Sequence, residues 1–187
     1  VLYNNDQAFN ELGEVADYFL VHNREIYAPL DDSVVMVINN KPRFIRRSRG
    51  YVPEPIHCES IEGTPILAMG SDLKNAFALN KGNEILIGPH IGDLENASTH
   101  ETLEWTINRY ENLFSIEPEK IIIDSHPQFF SSHLGEHIGA SSQIPVVTVQ
   151  HHHAHIASVM AEHNLIGPVL GIAMDGTGYG PDGTIWG

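Results

Sequence analysis

The sequence predicts an α/β fold, because short apolar runs alternate with helical patterns and polar or glycine-rich stretches follow the runs. The order strand, helix, strand, helix, strand over residues 120–174 requires parallel strands joined by right-handed crossovers. With 187 residues, 42% hydrophobic and 18% charged, the composition is that of an ordinary globular protein. No apolar run approaches the roughly 20 residues that span a bilayer, so we expect no membrane partner.

The pattern of the first 60 residues indicates only one part of a larger domain. The expected elements are a helix that Asp6 caps, a strand over 18–22, and a hairpin of 33–38 with 42–46 across Asn39-Asn40. A proline-rich stretch over 51–65 changes the composition and marks a boundary.

The regular alternation follows this boundary. Ser98 and Glu101 have the spacing of a capping box at the start of an amphipathic helix. The expected elements are strands 66–69, 76–79 and 84–87, the helix that Ser98 caps, strand 120–124, helix 129–138, strand 145–149, a helix beginning near His151, and strand 169–174.

Four histidines lie within five residues directly after the strand 145–149. His151 and His155 are four residues apart and would project from one face of a helix, where two neutral imidazoles can hold a divalent metal. Packing gives no reason for such a run, so we interpret it as a metal site. For His152 and His153, a direct role and simple hydrogen bonding or solvent exposure both stay open.

Polar groups follow three of the expected strands: Asp124 to His126, Gln150-His151, and the glycine-rich turn from Asp175 to Gly183. Ligands of parallel sheets bind beyond the carboxyl ends of the strands, so neighbouring strands would bring these groups into one cleft. The glycine-rich turn suits a loop that approaches a phosphate while an aspartate holds a metal ion. A hairpin without a ligand is the alternative, and Asp124 and His126 could instead cap the next helix.

Charge and cysteine content exclude several classes. The net charge of −14 gives no basic field for nucleic acid, which we do not expect as a partner. Cys58 is the sole cysteine, so the chain has neither an internal disulfide nor a cysteine zinc site, which fits a cytoplasmic location. The arginines between Arg43 and Arg49 could bind phosphate or form a solvated face.

Two functional alternatives follow from the histidines alone. A zinc peptidase with this spacing carries a glutamate after the first histidine, and His152 occupies that position, so the general base is missing. A metal-binding module without catalysis stays open.

Blocks along the whole chain closely resemble the HypF family of carbamoyltransferases, which act in the maturation of nickel–iron hydrogenases. The blocks are Ala16–Arg24, Asp31–Val34, Arg46–Gly50, Asp72–Asn75, His90–Asn96, Asp124–Pro127, Val149–Ser158 and Asp175–Gly187.

This resemblance implies two partial domains. Residues 1–60 look like the C-terminal part of a YrdC-like α/β domain, which uses ATP to convert carbamoyl phosphate to carbamoyl adenylate. Residues 61–187 look like the N-terminal part of a Kae1-like domain of the actin and hexokinase type, which transfers the carbamoyl group to the C-terminal cysteine of HypE. We therefore expect an internal piece, incomplete at both ends and inactive alone. Related domains serve tRNA threonylcarbamoyl transfer, but the net charge disfavours a tRNA acceptor.

The resemblance also implies roles for single residues. His151, His155 and Asp175 match the metal-binding and catalytic positions, and Gly176, Thr177 and Gly178 match the nucleotide phosphate loop. Ser33, Arg46, Arg47 and Arg49 look like a nucleotide phosphate contact of the YrdC-like domain, and Lys74 is a further candidate on position alone. The expected cofactors are ATP, Mg and a divalent metal, either Fe or Zn. A further metal ligand is expected beyond residue 187.

Overall fold

The computed structural model describes residues 2–61 and 63–187 and divides into two compact units, Val1–Asp31 and Asp32–Gly187. The first unit contains helix α1 (Asn5–Leu12). Its cap is Asn4, not Asp6 as predicted, because the Asn4 side chain accepts the backbone N–H groups of Asp6 and Gln7. The strand predicted over 18–22 is wrong: these residues have no regular secondary structure.

The second unit begins with the hairpin of β1 (Val34–Ile38) and β2 (Lys41–Arg46), as predicted. Asn39 and Asn40 connect the strands with φ of 51° and 61°. Asparagine adopts this left-handed conformation more readily than most residues, and a two-residue turn with both residues there matches the twist of a hairpin.

A six-stranded mixed sheet forms the body of the second unit, with strand order β3-β6-β5-β4-β7-β8. Strands β7 and β8 are parallel, as predicted, β4 also pairs in parallel with β7, and the remaining pairs are antiparallel. The bounds are β3 (Ile56–His57), β4 (Ile66–Ala68), β5 (Ala78–Lys81), β6 (Glu84–Ile87), β7 (Lys120–Asp124) and β8 (Val146–Val149). β5 lies two residues later than predicted, because only Gly82 and Asn83 form the turn and Lys81 still pairs with Glu84.

Three helices follow strands β6, β7 and β8: α2 (Ala97–Phe114), α3 (Phe130–Ser142) and α4 (His151–Glu162). Asn96 caps α2 through a hydrogen bond from the Thr99 backbone, so the capping box predicted at Ser98 is wrong. The buried core lies between the sheet and the helices, with Leu67, Met69, Phe77, Leu79, Leu103, Ile107, Ile121 and Leu134 among its members.

The strand predicted over 169–174 is also wrong. The run is apolar, but it forms no strand in the structure, and the sheet ends at β8. Leu170 is 93% and Met174 94% exposed. The residues after Met174 form a short hairpin of β9 (Gly178–Tyr179) and β10 (Ile185–Trp186).

Among the described helices, none has both the length and the apolar character that crossing a membrane requires.

Candidate metal centre

The candidate site lies at the carboxyl ends of the parallel strands β7 and β8. Asp124 is the last residue of β7, and Gln150 links β8 to helix α4. The Gln150 side chain accepts the backbone N–H of His153 at 2.9 Å, which starts the helix at His151. His151 therefore stands at the first turn of α4, and His155 follows one turn later.

Three donor groups converge there. His151 Nε2 lies 3.0 Å and His155 Nε2 lies 3.3 Å from the same oxygen, Oδ2 of Asp175. The three donor atoms all lie within 4.8 Å of one another. Ligands bound to zinc at roughly 2.0–2.1 Å in a tetrahedron are about 3.3 Å apart. The distances from Asp175 to the two histidines therefore match the spacing of ligands around a single small divalent cation.

A second carboxylate, that of Asp124, forms a hydrogen bond with the other ring nitrogen of His151. Its Nδ1 lies 2.6 Å from Oδ2 of Asp124, whose side chain is only 8% exposed. The other oxygen of Asp124 accepts the backbone N–H of His126 at 2.8 Å. His151 thus lies between two carboxylates, with a different ring nitrogen facing each.

The charge state of Asp175 favours cation binding. Desolvation is the largest single influence and would raise its pKa, but the N–H of Gly176 and the neighbouring His151 and His155 together outweigh it, and the pKa of Asp175 is lowered. The hydrogen bond from Gly176 to Oδ1 is 2.8 Å long. The carboxylate is therefore ionised at neutral pH, as metal binding requires.

The hairpin after Asp175 packs against the start of α4. A Cβ added to Gly178 would lie 2.7 Å from the His152 ring, so only glycine permits this close approach. Gln150 Nε2 and Ser125 Oγ both donate to the Tyr179 carbonyl, at 3.3 Å and 3.4 Å. His152 Nε2 is buried 4.0 Å from Asp175 Oδ2, too far for a hydrogen bond, and no other described residue accepts from it. His152 therefore supports the hairpin, whereas His153 is exposed.

A cleft of about 420 Å³ opens beside the three donors. Lys74, His151 and His155 line it together with the loop that follows β4. The backbone of Lys74 is left-handed, with φ of 50°, and its N–H donates to Asp93 Oδ1 at 2.7 Å. The structure thus brings Lys74, predicted from position alone, into the cleft that holds the histidines.

The predicted phosphate contacts of the hairpin region do not belong to this cleft, since none of them is among the described residues that line it. Ser33 Oγ donates to the Arg49 carbonyl and accepts the N–H of Ser48. Arg46 and Arg47 donate to the carbonyls of Asp32 and Glu54, and Arg49 lies 3.6 Å from the Asp32 carboxylate. Each of these side chains thus has a partner within the second unit, and their role toward nucleotide stays a prediction.

Comparison with known proteins identifies the family. Residues 62–162 match the model of the HypF Kae1-like domain. The chain belongs to the HypF family. It is 45% identical to the carbamoyltransferase HypF of Synechocystis sp. over 100% of this chain and 24% of that protein. It is 35% identical to the probable carbamoyltransferase HypF of Methanocaldococcus jannaschii over 98% of this chain, again 24% of the relative.

Two solved HypF structures resemble the fold closely. One is a full-length HypF in the phosphate- and nucleotide-bound form, with a TM-score of 0.92 and 44% identity over 100% of this chain and 29% of that one. The other is HypF of T. kodakarensis, with a TM-score of 0.92 and 41% identity over 100% of this chain and 24% of that one. The chain thus spans about a quarter of the length of the HypF proteins that it matches.

The sequence placed Asp124 in the expected cleft but did not identify it as a partner of His151, and it left open that Asp124 and His126 cap the next helix. That alternative is wrong, because the first N–H groups of α3 donate to Asp72 instead. The position of Asp124 at the end of a strand beside the histidine strand was the available signal, but it did not distinguish a cap from a partner of His151.

Proposed function

We propose that this chain is part of a carbamoyltransferase and supplies most of the metal site at which the carbamoyl group is transferred. The observation that carries the proposal is the convergence of His151, His155 and Asp175 within 4.8 Å. The names of the HypF relatives support the same activity. Since the chain covers about a quarter of those relatives, the proposal concerns a longer protein in which this segment works.

The proposed reaction has two stages. In the first, ATP, carbamoyl phosphate and water give carbamoyl adenylate, pyrophosphate and phosphate at a YrdC-like domain, of which residues 1–60 form the C-terminal part. In the second, the C-terminal cysteine thiolate of HypE attacks the carbamoyl carbon at a Kae1-like domain that begins at residue 61. A C–S bond forms, the C–O bond to the phosphate of the adenylate breaks, and AMP leaves. Cys58 is fully buried beside Ser60, which supports an acceptor thiol from another protein.

The donor set fits the metal that this chemistry would use. Two imidazoles and a carboxylate suit iron or zinc, and the three donors leave coordination positions for other groups. When bound, such a metal supplies Lewis acidity that stabilises the oxyanion developing on the carbamoyl carbonyl. The chain would hold the metal through His151, His155 and Asp175, and the N–H of Gly176 helps to keep Asp175 ionised and oriented.

Nucleotide would bind in the cleft beside the metal, together with Mg. Lys74 lies on the wall of the 420 Å³ cleft, and the glycines Gly176 and Gly178 follow the metal-binding Asp175 but do not themselves line it. Gly176 has open space where a Cβ would be, so the backbone there can approach a phosphate. Binding of phosphate and nucleotide by a full-length HypF of 44% identity supports this assignment.

Replacement of both metal-binding histidines tests the proposal. In the full-length enzyme, H151A/H155A should abolish transfer to HypE but retain carbamoyl phosphate-dependent exchange of pyrophosphate into ATP. The matched control is H153A, which removes an exposed imidazole from the same helix and should retain both activities. Loss of both activities in the double variant would contradict the assignment of the two stages to different domains.

Nucleotide retention separates a transferase from a metal buffer. A transferase site should bind ATP more tightly when the metal is present, whereas a module that only stores metal should be indifferent to ATP. Equilibrium dialysis of the full-length protein with and without metal measures this difference. We also expect the 187-residue chain alone to carry out no transfer, and carbamoylation of a HypE peptide by it would contradict that expectation.

A further inference from the structure

We propose that Asp124 is a positioning residue that fixes the tautomer and the ring orientation of His151, so that Nε2 is free to bind the metal. This inference rests on the metal site of the proposed function. The short contact between Asp124 Oδ2 and His151 Nδ1, 2.6 Å, carries it. A carboxylate accepts only, so Nδ1 must carry the proton, and the metal-binding lone pair is left on Nε2.

The geometry of Asp124 allows little other use of its side chain. Oδ1 is occupied by the backbone N–H of His126 at 2.8 Å, which fixes the rotation of the carboxylate and aims Oδ2 at the histidine. The side chain is 8% exposed, so an ionised carboxylate there needs both hydrogen bonds. The Ser132 hydroxyl donates to the backbone carbonyl of Asp124 at 3.0 Å and holds the strand end in place.

The opposite face of His151 shows why the tautomer matters. Its Nε2 lies 3.0 Å from the Asp175 carboxylate, where a neutral Nε2 without a proton and an anionic oxygen repel each other unless a cation lies between them. Because the hydrogen bond to Asp124 keeps the proton on Nδ1, a metal ion bound between Nε2 and Asp175 would remove the repulsion between them. A hydrogen-bond acceptor behind a metal-binding histidine also increases the basicity of its metal-binding nitrogen.

Asparagine at this position reverses the hydrogen bond. In D124N the amide oxygen would remain with the His126 N–H, and the amide nitrogen would face His151 and donate to Nδ1. The ring would then take the Nε2-protonated tautomer, which cannot bind metal through that atom. D124A removes the acceptor without forcing the wrong tautomer, so it should impair metal binding less than D124N.

Titration with Co²⁺, followed by its visible absorption, tests this in the 187-residue chain. D124N should weaken Co²⁺ binding by about tenfold to hundredfold, and D124A by a smaller factor. The control is E136A, which removes an exposed carboxylate from helix α3 and should leave Co²⁺ affinity within about twofold of the unchanged chain. Unchanged affinity in D124N, or a greater loss in D124A than in D124N, would overturn the inference.

Nitrogen-15 NMR of the histidine rings tests the tautomer without any substitution and without metal. His151 Nδ1 should carry a proton in the unaltered chain, and an unprotonated Nδ1 would overturn the inference even if every variant failed to fold. If the unaltered chain bound no Co²⁺, the proposed metal site would fail for this chain, while the NMR result would still show whether Asp124 fixes the tautomer of His151. Failure of the metal site and failure of the inference about Asp124 are therefore distinguishable.

Discussion

Asp72 caps helix α3 from a loop that precedes the helix by 58 residues: its Oδ2 accepts the N–H of Phe130 at 2.8 Å and its Oδ1 that of Ser131 at 2.9 Å. The residue at the cap position itself, Phe129, has no side-chain acceptor. Ser131 Oγ in turn donates to the carbonyl of Gly70 at 3.0 Å. The loop after β4, which lines the cleft, is therefore fixed to α3 by three hydrogen bonds.

Removal of this cap should destabilise the second unit. We expect D72A to lower the free energy of unfolding by about 1 kcal/mol, in the range of roughly 0.5–2 kcal/mol for lost helix caps. D72N, which keeps one acceptor oxygen, should lose less. Urea unfolding of the 187-residue chain measures both, with E136A on the exposed face of α3 as the control. Equal stability of D72A and the control would show that the cap contributes nothing.

Close packing of α3 on the sheet gives a second prediction, for Gly135. Alanine normally stabilises a helix interior relative to glycine by roughly 1 kcal/mol. A Cβ at Gly135 would however lie 2.5 Å from Ile123 Cγ2 and 2.9 Å from Met69 Cγ in the core. We expect overpacking to prevail and G135A to destabilise by about 1–3 kcal/mol.

Thermal unfolding of G135A, again beside E136A, decides between the two effects. A midpoint above that of the unaltered chain would mean that helix propensity outweighs the contact with Ile123 and Met69.

The sequence correctly predicted strands β7 and β8 and their parallel pairing, because hydrophobic periodicity is local. Strand β7 has the predicted limits, and the turn at Asn39-Asn40 has the predicted form. Helix caps were predicted less well, since several acceptors compete within a few residues: Asn4 precedes Asp6, and Asn96 precedes Ser98. Only the three-dimensional structure shows which one meets the free N–H groups.

Long-range partners could not be predicted from local pattern. An apolar run such as 169–174 reads as a strand whether or not a neighbour is present, and the structure offers it none among the described residues. The sequence and its resemblance to the family indicated His151, His155 and Asp175 as metal ligands. The structure brings their donor atoms within 4.8 Å of one another, and their role as ligands stays a prediction. The contact of Asp124 with His151 depends on the alignment of β7 beside β8, in which Asp124 pairs with Val149, and the sequence does not encode that register visibly.

The segment after Asp175 gives a third prediction, which separates the packing role of Gly178 from the proposed phosphate contact at Gly176. In G178A the new methyl group would lie 2.7 Å from the His152 ring and displace the hairpin that directly follows Asp175. We expect Co²⁺ affinity of the 187-residue chain to fall by about tenfold, the loss of roughly 1.4 kcal/mol of binding. G176A is the matched control, since a Cβ there meets nothing within 4 Å.

G176A should bind Co²⁺ normally, because alanine keeps the N–H that donates to Asp175. If the loop also approaches nucleotide phosphate, G176A should weaken ATP binding in the full-length enzyme without changing the metal affinity. If G178A and G176A bound Co²⁺ with equal affinity, the packing of Gly178 against His152 would not be what holds Asp175 in place.

The last prediction concerns pH and Glu111 on helix α2. Burial raises the pKa of this carboxyl above its ordinary value of 4.5, and no favourable partner opposes the shift. The folded state therefore binds the proton more tightly than the unfolded state does. This contribution to stability is fully present below the ordinary pKa and is lost as the pH rises through the folded value. At neutral pH the ionised, half-buried group costs stability.

Replacement by glutamine removes that cost. E111Q should raise the unfolding midpoint at pH 7, and the gain should shrink as the pH falls toward 4.5, because the native glutamate is then protonated as well. E104Q is the matched control, an exposed glutamate two turns earlier on the same face of α2. The measurement is the difference in midpoint between each variant and the unaltered chain at several pH values. A gain in E111Q that is independent of pH, or equal to that of E104Q, would contradict a raised pKa at Glu111.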